Sequence, residues 1–127
     1  MHLVYLVILV ALAEYLLLGV LVARARGRYQ VAAPAVTGHP EFERCFRVQQ
    51  NTLEQLIVVI PAMWIFGLTL SPLWSAILGL VFVLGRGLYA YGYLRHPARR
   101  HHGFTLGFIA TLALLAGGLL GTIKALL

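Results

Sequence analysis

Two stripes of polar residues enter long apolar segments of this chain, and their side chains are of types that could bind a multiply charged ligand. The first lies in P-E-F-E-R-C-F-R-V-Q-Q-N-T-L-E and continues directly into an apolar run. At 3.6 residues per turn, four of its members share one helix face: Glu43, Arg47, Asn51 and Glu54. A polar stripe persists in a bilayer only where it faces protein, water or a polar ligand. Pairing of Glu43 with Arg47 within the helix would leave Asn51 and Glu54 without a role.

The second stripe lies in G-R-G-L-Y-A-Y-G-Y-L-R, where Arg86, Tyr89 and Tyr93 follow spacings of three and four. One interpretation is an interfacial aromatic belt with an arginine that snorkels to the membrane surface. The other is that this stripe meets the first at similar depth. Together with loop arginines, the two would then form a cationic pocket with neutral donors and one carboxylate. Such a pocket suits a small ligand that carries carboxylates and an ammonium group.

Four apolar segments must position these stripes. Hydrophobic residues make up 61% of the 127 residues and charged residues only 11%, which excludes a soluble domain and indicates an integral membrane protein. The sequence therefore predicts a single all-α domain, 1–127, folded as a four-helix transmembrane bundle. The predicted spans are 3–23, 40–69, 73–94 and 104–123. Basic loops are expected at 24–39 and 96–103, a tight uncharged turn at Ser71-Pro72, and close helix packing at the two G-x-x-x-G motifs of the last span.

The distribution of charge predicts the orientation in the membrane. Arginines flank the first and third loops, and the second loop has no charge. By the positive-inside rule, both basic loops are cytoplasmic and both chain termini are on the non-cytoplasmic side. The polar stripes then lie toward the cytoplasmic leaflet. The net charge of +6 belongs to these loops, so a nucleic-acid partner is not expected.

The cysteine and the histidines of the second basic loop suggest no further chemistry. A single cysteine, Cys45, excludes an internal disulfide framework, and it is expected to pack as a small apolar residue. His96, His101 and His102 have no carboxylate or second ligand type beside them in the sequence, so no metal site is expected.

The two polar motifs together closely resemble the MAPEG family, the membrane-associated proteins of eicosanoid and glutathione metabolism. The pattern E-R-x-x-R-x-Q-x-N-x-x-E is specific, and the likeness extends over nearly the whole chain in span number, loop length and order. It implies a homotrimer that binds glutathione between neighbouring subunits near the cytoplasmic leaflet. It also implies a glutathione transferase or peroxidase that acts on apolar electrophiles arriving from the bilayer.

The resemblance also implies roles for individual residues. Those that fall on glutathione-binding positions are Arg26, Arg47, Gln49, Asn51, Glu54, Arg86, Tyr89 and Tyr93. The three arginines would hold carboxylates, Glu54 the amine, and the remaining side chains would supply neutral hydrogen bonds. The thiol-activating arginine falls on Arg100, and an offset of one residue to Arg99 stays open. A free thiol with a pKa of about 8.5 is mostly protonated at neutral pH, and a guanidinium beside the sulfur favours the thiolate.

Two positions depart from the family pattern. Gln55 stands where well-known family members have a tyrosine, and Gly27 where a second loop arginine often occurs, which leaves the substrate range open.

Two alternatives to the enzyme follow from the family and from Glu14. A non-catalytic branch of the family binds lipid, but it lacks the arginines that Arg47 and Arg100 supply here. Glu14, in A-L-A-E-Y-L, resembles the membrane carboxylate of small multidrug transporters, which exchange protons for cationic drugs. A row of arginines would repel such drugs, so the enzyme is the favoured interpretation.

Overall fold

Four long helices account for most of the chain in the computed structural model, which covers residues 1–127. They are α1 (His2–Tyr29), α2 (Pro40–Thr69), α3 (Pro72–Arg95) and α4 (His101–Leu126). A short 3-10 helix, Pro97–Arg100, leads into α4, and there is no strand. Each of the four long segments is long and apolar enough to cross a membrane. The predicted all-α fold with four spans is confirmed, and the chain is a multi-pass integral membrane protein.

The starts of α2 and α3 follow from local sequence. Pro40 occupies the first turn of α2, and the ring Nδ1 of His39 accepts a hydrogen bond of 3.2 Å from the backbone N–H of Glu41. Ser71 caps α3, because its hydroxyl oxygen accepts from the backbone N–H of Trp74 at 3.3 Å. A proline in the first turn loses no helical hydrogen bond, so both starts are well defined. The predicted turn at Ser71-Pro72 is confirmed.

Two helices extend further than hydropathy indicated. Residues 24–29, expected in the first basic loop, continue α1 as far as Tyr29, and the chain leaves the helix at Gln30 in the left-handed conformation (φ 53°, ψ 41°). Most of the predicted loop 96–103 is likewise helical. The reason is that hydropathy marks only the hydrocarbon layer, about 30 Å thick, whereas 28 residues of helix span about 42 Å. Arginines do not prevent helix formation once the helix has left that layer.

The connections between consecutive helices are too short to run back along the bundle, so neighbouring helices are antiparallel. The loop 30–39 and the 3-10 helix therefore lie together at one end of the bundle, called here the basic end. The uncharged turn between α2 and α3 lies at the opposite end. This arrangement brings the polar halves of α2 and α3 to the same end of the bundle.

Close contact between α3 and α4 depends on glycines. A Cβ atom at Gly103 would collide with the backbone N of Tyr89 and the carbonyl oxygen of Gly85, and one at Gly85 would lie 2.8 Å from the backbone N of Gly107. Gly117, in the second motif, similarly contacts the ring of Phe66. The prediction that G-x-x-x-G marks close packing is confirmed. Below these contacts lies an apolar core that includes Val59, Met63, Phe82 and Leu114.

Candidate functional site

Arg86 is a buried cation at the centre of the polar region. Its side chain comes from α3 and is only 2% exposed. The guanidinium Nη2 donates a 2.7 Å hydrogen bond to the hydroxyl oxygen of Thr52 on α2, and that hydroxyl donates in turn to the carbonyl oxygen of Val48 at 2.8 Å. The Cζ atom lies 4.0 Å from the ring centroid of Tyr89. The guanidinium Nε is buried without a hydrogen-bond partner, so Arg86 keeps one donor unused.

A second link joins the same two helices, from the residue beside Thr52 on α2 to a residue one turn after Arg86 on α3. The Nδ2 atom of Asn51 donates a 2.6 Å hydrogen bond to the phenolic oxygen of Tyr89. Tyr89 is buried, and its phenolic proton is not used in this contact. The pair therefore presents one amide oxygen and one hydroxyl proton to a ligand.

Arg100 is connected to this group through aromatic rings. Its Cζ atom lies 5.6 Å from the ring centroid of Tyr93, and the rings of Tyr93 and Tyr89 are 5.6 Å apart. The four side chains thus form a row. The guanidinium groups of Arg86 and Arg100 lie at its ends, and the rings of Tyr89 and Tyr93 lie between them. The 3-10 helix sets the position of Arg100, since it returns the chain from the end of α3 to the start of α4.

These groups surround a cavity of about 310 Å³, called here the central cavity. Its lining residues are Asn51, Glu54, Gln55, Arg86, Tyr89, Arg100, His101 and Phe104. Five of the nine residues predicted to form the site thus lie around one space. Glu54 is the only acidic side chain among them.

Two other predicted residues line a separate cavity. Arg47 and Tyr93 lie beside a space of about 480 Å³ whose walls also include Glu43, Arg44 and Phe46. Tyr93 stands between the two cavities, because its ring also contacts Tyr89. Within one protomer, Arg47 therefore does not line the cavity that contains Arg86 and Arg100.

The last two predicted residues point elsewhere in the protomer. The Nε2 atom of Gln49 lies 3.0 Å from the position that a Cβ atom of Gly19 would take, so this side chain faces α1. Arg26 holds the loop 30–39, since its Nη1 donates to the carbonyl oxygens of Val31 at 3.2 Å and Ala35 at 2.6 Å. Its guanidinium also lies 4.7 Å from the ring centroid of Phe42.

The charges near the site are largely without protein partners. The suggested pairing of Glu43 with Arg47 was wrong, because Glu43 accepts a hydrogen bond from the backbone N–H of Gly38 instead. The one ion pair of the structure joins Arg44 to Glu41 at 3.1 Å. Arg47, Arg86, Arg100 and Glu54 consequently have no salt-bridge partner in the chain.

Four residues beside the site were not assigned to it from the sequence: Thr52, Gln55, His101 and Phe104. Thr52 was detectable, because it is a hydroxyl side chain in the middle of a membrane helix and directly follows Asn51. Gln55 was noticed only as a departure from the family pattern. His101 and Phe104 depend on the 3-10 helix, which the sequence did not predict.

The residues that suggested other chemistry lie outside the central cavity. Glu14 is on α1, and its Oε1 lies 3.5 Å from the position of a Cβ atom on Gly87. Cys45 packs against the apolar cluster that includes Val22 and Phe42. No group of three or more histidine, cysteine or acidic side chains is placed to hold a metal ion.

The arrangement is suited to an anionic ligand with one cationic group. Two guanidinium groups offer charge-assisted hydrogen bonds to carboxylates, and Glu54 offers the matching anion to an ammonium group. A volume of about 310 Å³ is at the lower end of the range for small-molecule sites. Phe104 adds an apolar wall where the cavity approaches the exposed surface of α4.

Comparison with known proteins shows which family and relatives this chain resembles. The model of the MAPEG family matches residues 3–120. Human microsomal glutathione S-transferase 2 is 44% identical over 108 residues, which cover 84% of this chain and 72% of that protein. An uncharacterised protein of Synechocystis is 48% identical over 106 residues, covering 84% of this chain and 77% of that protein. Leukotriene C4 synthase of Cavia porcellus is 37% identical over 97 residues, covering 70% of this chain and 65% of that protein.

Proposed function

The chain belongs to the MAPEG family, and on this premise we propose that it is a membrane-bound glutathione transferase that activates the glutathione thiol for attack on hydrophobic electrophiles. Family membership and the transferase relatives support glutathione-dependent transfer in the membrane. The observation that carries the proposal is the central cavity. It combines two arginines, Arg86 and Arg100, with a single carboxylate, Glu54.

The charges of glutathione match this cavity. The tripeptide has two carboxylates, one ammonium group, two peptide groups and a thiol. The guanidinium of Arg86 would bind a carboxylate, and Glu54 would bind the ammonium group. Asn51 and Tyr89, already joined to each other, would supply hydrogen bonds to the peptide groups.

Arg100 is the proposed thiol-activating residue. It lines the central cavity, whereas Arg99 lines a different one, which favours Arg100 over the neighbouring position. A guanidinium remains charged at any physiological pH, so it stabilises the thiolate without exchanging a proton. The thiolate attacks the electrophilic carbon of the acceptor, and the leaving group departs with its electron pair.

A second protomer would complete the site. Arg26, Arg47 and Gln49 lie outside the central cavity of their own chain, and Arg47 is exposed. In the proposed homotrimer, part of this set would reach glutathione bound to a neighbouring subunit. The active site would face the cytoplasmic leaflet, on the side of the basic loops.

The hydrophobic electrophile would enter from the bilayer beside α4. Phe104 lines the cavity and stacks on Phe108, with ring centroids 5.7 Å apart, and both rings are exposed. The same thiolate would also support peroxidase chemistry. In that reaction two glutathione molecules are oxidised to the disulfide, while a hydroperoxide is reduced to an alcohol and water.

The test is the ultraviolet absorbance of the thiolate when glutathione is added to purified protein. We expect a thiolate signal in the unmodified protein and its loss in Arg100→Ala, with the half-formation pH returning upward toward about 8.5. Arg28→Ala is a matched control, because Arg28 also lies 5.6 Å from a tyrosine ring, Tyr29, but lines no cavity described here. Loss in Arg99→Ala with retention in Arg100→Ala would transfer the role to Arg99.

The same measurement separates the enzyme from its alternatives. No thiolate in the unmodified protein would favour a non-catalytic, lipid-binding member of the family. Glu14→Gln should retain glutathione binding, since Glu14 lies outside the central cavity. A proton-coupled transporter would instead lose all transport in this variant.

A further inference from the structure

A third cavity, of about 460 Å³, is lined by Ala98 and Arg99 of the 3-10 helix, whereas Arg100 of the same helix lines the central cavity. The third cavity is called here the basic cavity. Arg95, Arg99, His101 and His102 contribute its positive or titratable groups, and no acidic side chain lines it. His101 lines both this cavity and the central cavity.

The basic cavity lies at the end of an apolar stripe on α3. Leu80, Leu84 and Leu88 follow one another at intervals of four residues, and Tyr91 continues the same face. All four are between 48% and 58% exposed, which is the pattern of a helix face that contacts lipid. Arg95 comes one turn later on this face, so the stripe leads from the apolar region directly to a guanidinium.

The basic groups are held in place before any ligand binds. The Cζ atom of Arg95 lies 4.4 Å from the ring centroid of Tyr91. The 3-10 helix that carries Arg99 is packed closely on α3, because a Cβ atom at Gly92 would lie 2.6 Å from the carbonyl oxygen of Arg99. Neither arginine has a salt-bridge partner, since the one ion pair of the structure is between Arg44 and Glu41.

We propose that the basic cavity binds the phosphate of an anionic phospholipid whose acyl chain lies along Leu80, Leu84 and Leu88. A soluble anion would need only the cationic groups. The leucine stripe faces lipid in any case, and because it runs directly into the cavity, one molecule with a long apolar part can contact both. Charge complementarity and the continuity of stripe and cavity thus select a membrane lipid, because both features lie on one exposed helix face. The two cavities share only His101, and lipid binding in this one does not require the proposed catalysis.

The experiment measures lipid preference in nanodiscs. The protein is placed in phosphatidylcholine nanodiscs that contain a spin-labelled lipid. The fraction of label with restricted motion is then compared between labelled phosphatidylglycerol and labelled phosphatidylcholine. We expect a preference for phosphatidylglycerol that falls roughly fivefold in Arg95→Gln, the change expected for one arginine near a headgroup. Arg95→Lys should retain most of the preference, because it keeps the charge. The preference should also weaken as salt is raised.

Two controls make the result specific. Arg28→Gln removes an exposed arginine beside a tyrosine at the same end of the bundle, and it should leave the preference unchanged. Leu84→Ser interrupts the stripe without a change of charge, and it should lower the restricted fraction of the labelled lipid.

Three results would overturn the proposal. The first is an equal preference in the unmodified protein and Arg95→Gln. The second is full displacement of the labelled lipid by inorganic phosphate alone, which would indicate a site for a free anion. The third is the absence of any preference in the unmodified protein, as expected if subunit association covers this face of α3.

Discussion

The guanidinium of Arg86 donates a 2.7 Å hydrogen bond to the hydroxyl oxygen of Thr52 inside the helix bundle. Because the Thr52 hydroxyl gives its own proton to the carbonyl oxygen of Val48, its lone pairs are available to the arginine. Burying a cation in a membrane protein costs free energy unless its N–H groups have hydrogen-bond partners. Thr52 satisfies one donor and fixes the direction of the guanidinium, whose Nε has no partner in the chain.

Thr52→Val tests this relationship, because valine keeps the shape and removes the hydroxyl. We expect the free energy of unfolding in detergent to fall by about 1–3 kcal/mol, which is the cost of leaving a buried donor unsatisfied. Thr111→Val is the matched control, since Thr111 is also buried and bonds the carbonyl oxygen four residues earlier, but has no arginine partner. Equal losses in the two variants would show that the Arg86 contact adds nothing.

The contact between Asn51 and Tyr89 should contribute to glutathione binding. Tyr89→Phe removes the oxygen that accepts from the Asn51 amide and leaves the ring that lies against Arg86. The KM for glutathione is expected to rise roughly two- to tenfold, which corresponds to one net hydrogen bond. Tyr91→Phe removes an exposed hydroxyl outside the central cavity and should leave KM unchanged. An unaltered KM in Tyr89→Phe would contradict the assigned role.

Gly103 should be essential to the packing of α4 against α3. Gly103→Ala places a Cβ atom against the backbone of Tyr89 and Gly85, which cannot move without separating α3 from α4. We expect a loss of about 1–3 kcal/mol in unfolding free energy, together with weaker glutathione binding. Gly27→Ala is the control, because a Cβ atom there has no neighbour within 4 Å and alanine favours the helix. Its stability should equal or slightly exceed that of the unmodified protein.

The sequence predicted the fold well because a bilayer restricts the possible structures. Apolar length defined the number of spans, Pro40 marked the start of α2, and Ser71-Pro72 marked the turn before α3, all of which the structure confirms. The end of α1 and the start of α4 were predicted poorly, because no hydropathy change marks where a helix stops in the headgroup region. Gln30 ends α1 through a left-handed backbone conformation that its residue type did not reveal.

The site was predicted only in part, because some of the features that position its residues leave no pattern in the sequence. Helical spacing correctly placed Asn51 and Glu54 on a shared face, and Arg86 and Tyr89 on another, and these faces meet. Spacing along a helix does not say how the helices rotate about their axes. Arg47, in the same stripe, therefore lines a different cavity from Asn51 within the protomer. The position of Arg26 depends on carbonyl groups of the loop 30–39, whose conformation has no periodic pattern in the sequence.

The separation of Arg26 from the central cavity gives the last prediction. If Arg26 contacts glutathione, the tripeptide must be bound by a neighbouring protomer, because Arg26 of the same chain is held by its own loop. Chains carrying Arg26→Ala and chains carrying Arg100→Ala, each inactive as a homo-oligomer, should then restore activity when they assemble together. In a cyclic trimer that contains both kinds of chain, one site of the three receives both intact residues, so about a third of the normal activity is expected.

Co-expression with two affinity tags and tandem purification isolates these mixed trimers for a glutathione-conjugation assay. The combination of Asn51→Ala with Arg100→Ala is the matched control, because both residues line the central cavity of one chain. That combination should recover no activity beyond its parents, since neither chain supplies both residues to the same cavity. Mixed trimers of Arg26→Ala and Arg100→Ala that stay inactive would place Arg26 in the loop alone, as a residue that holds 30–39 and does not bind the tripeptide.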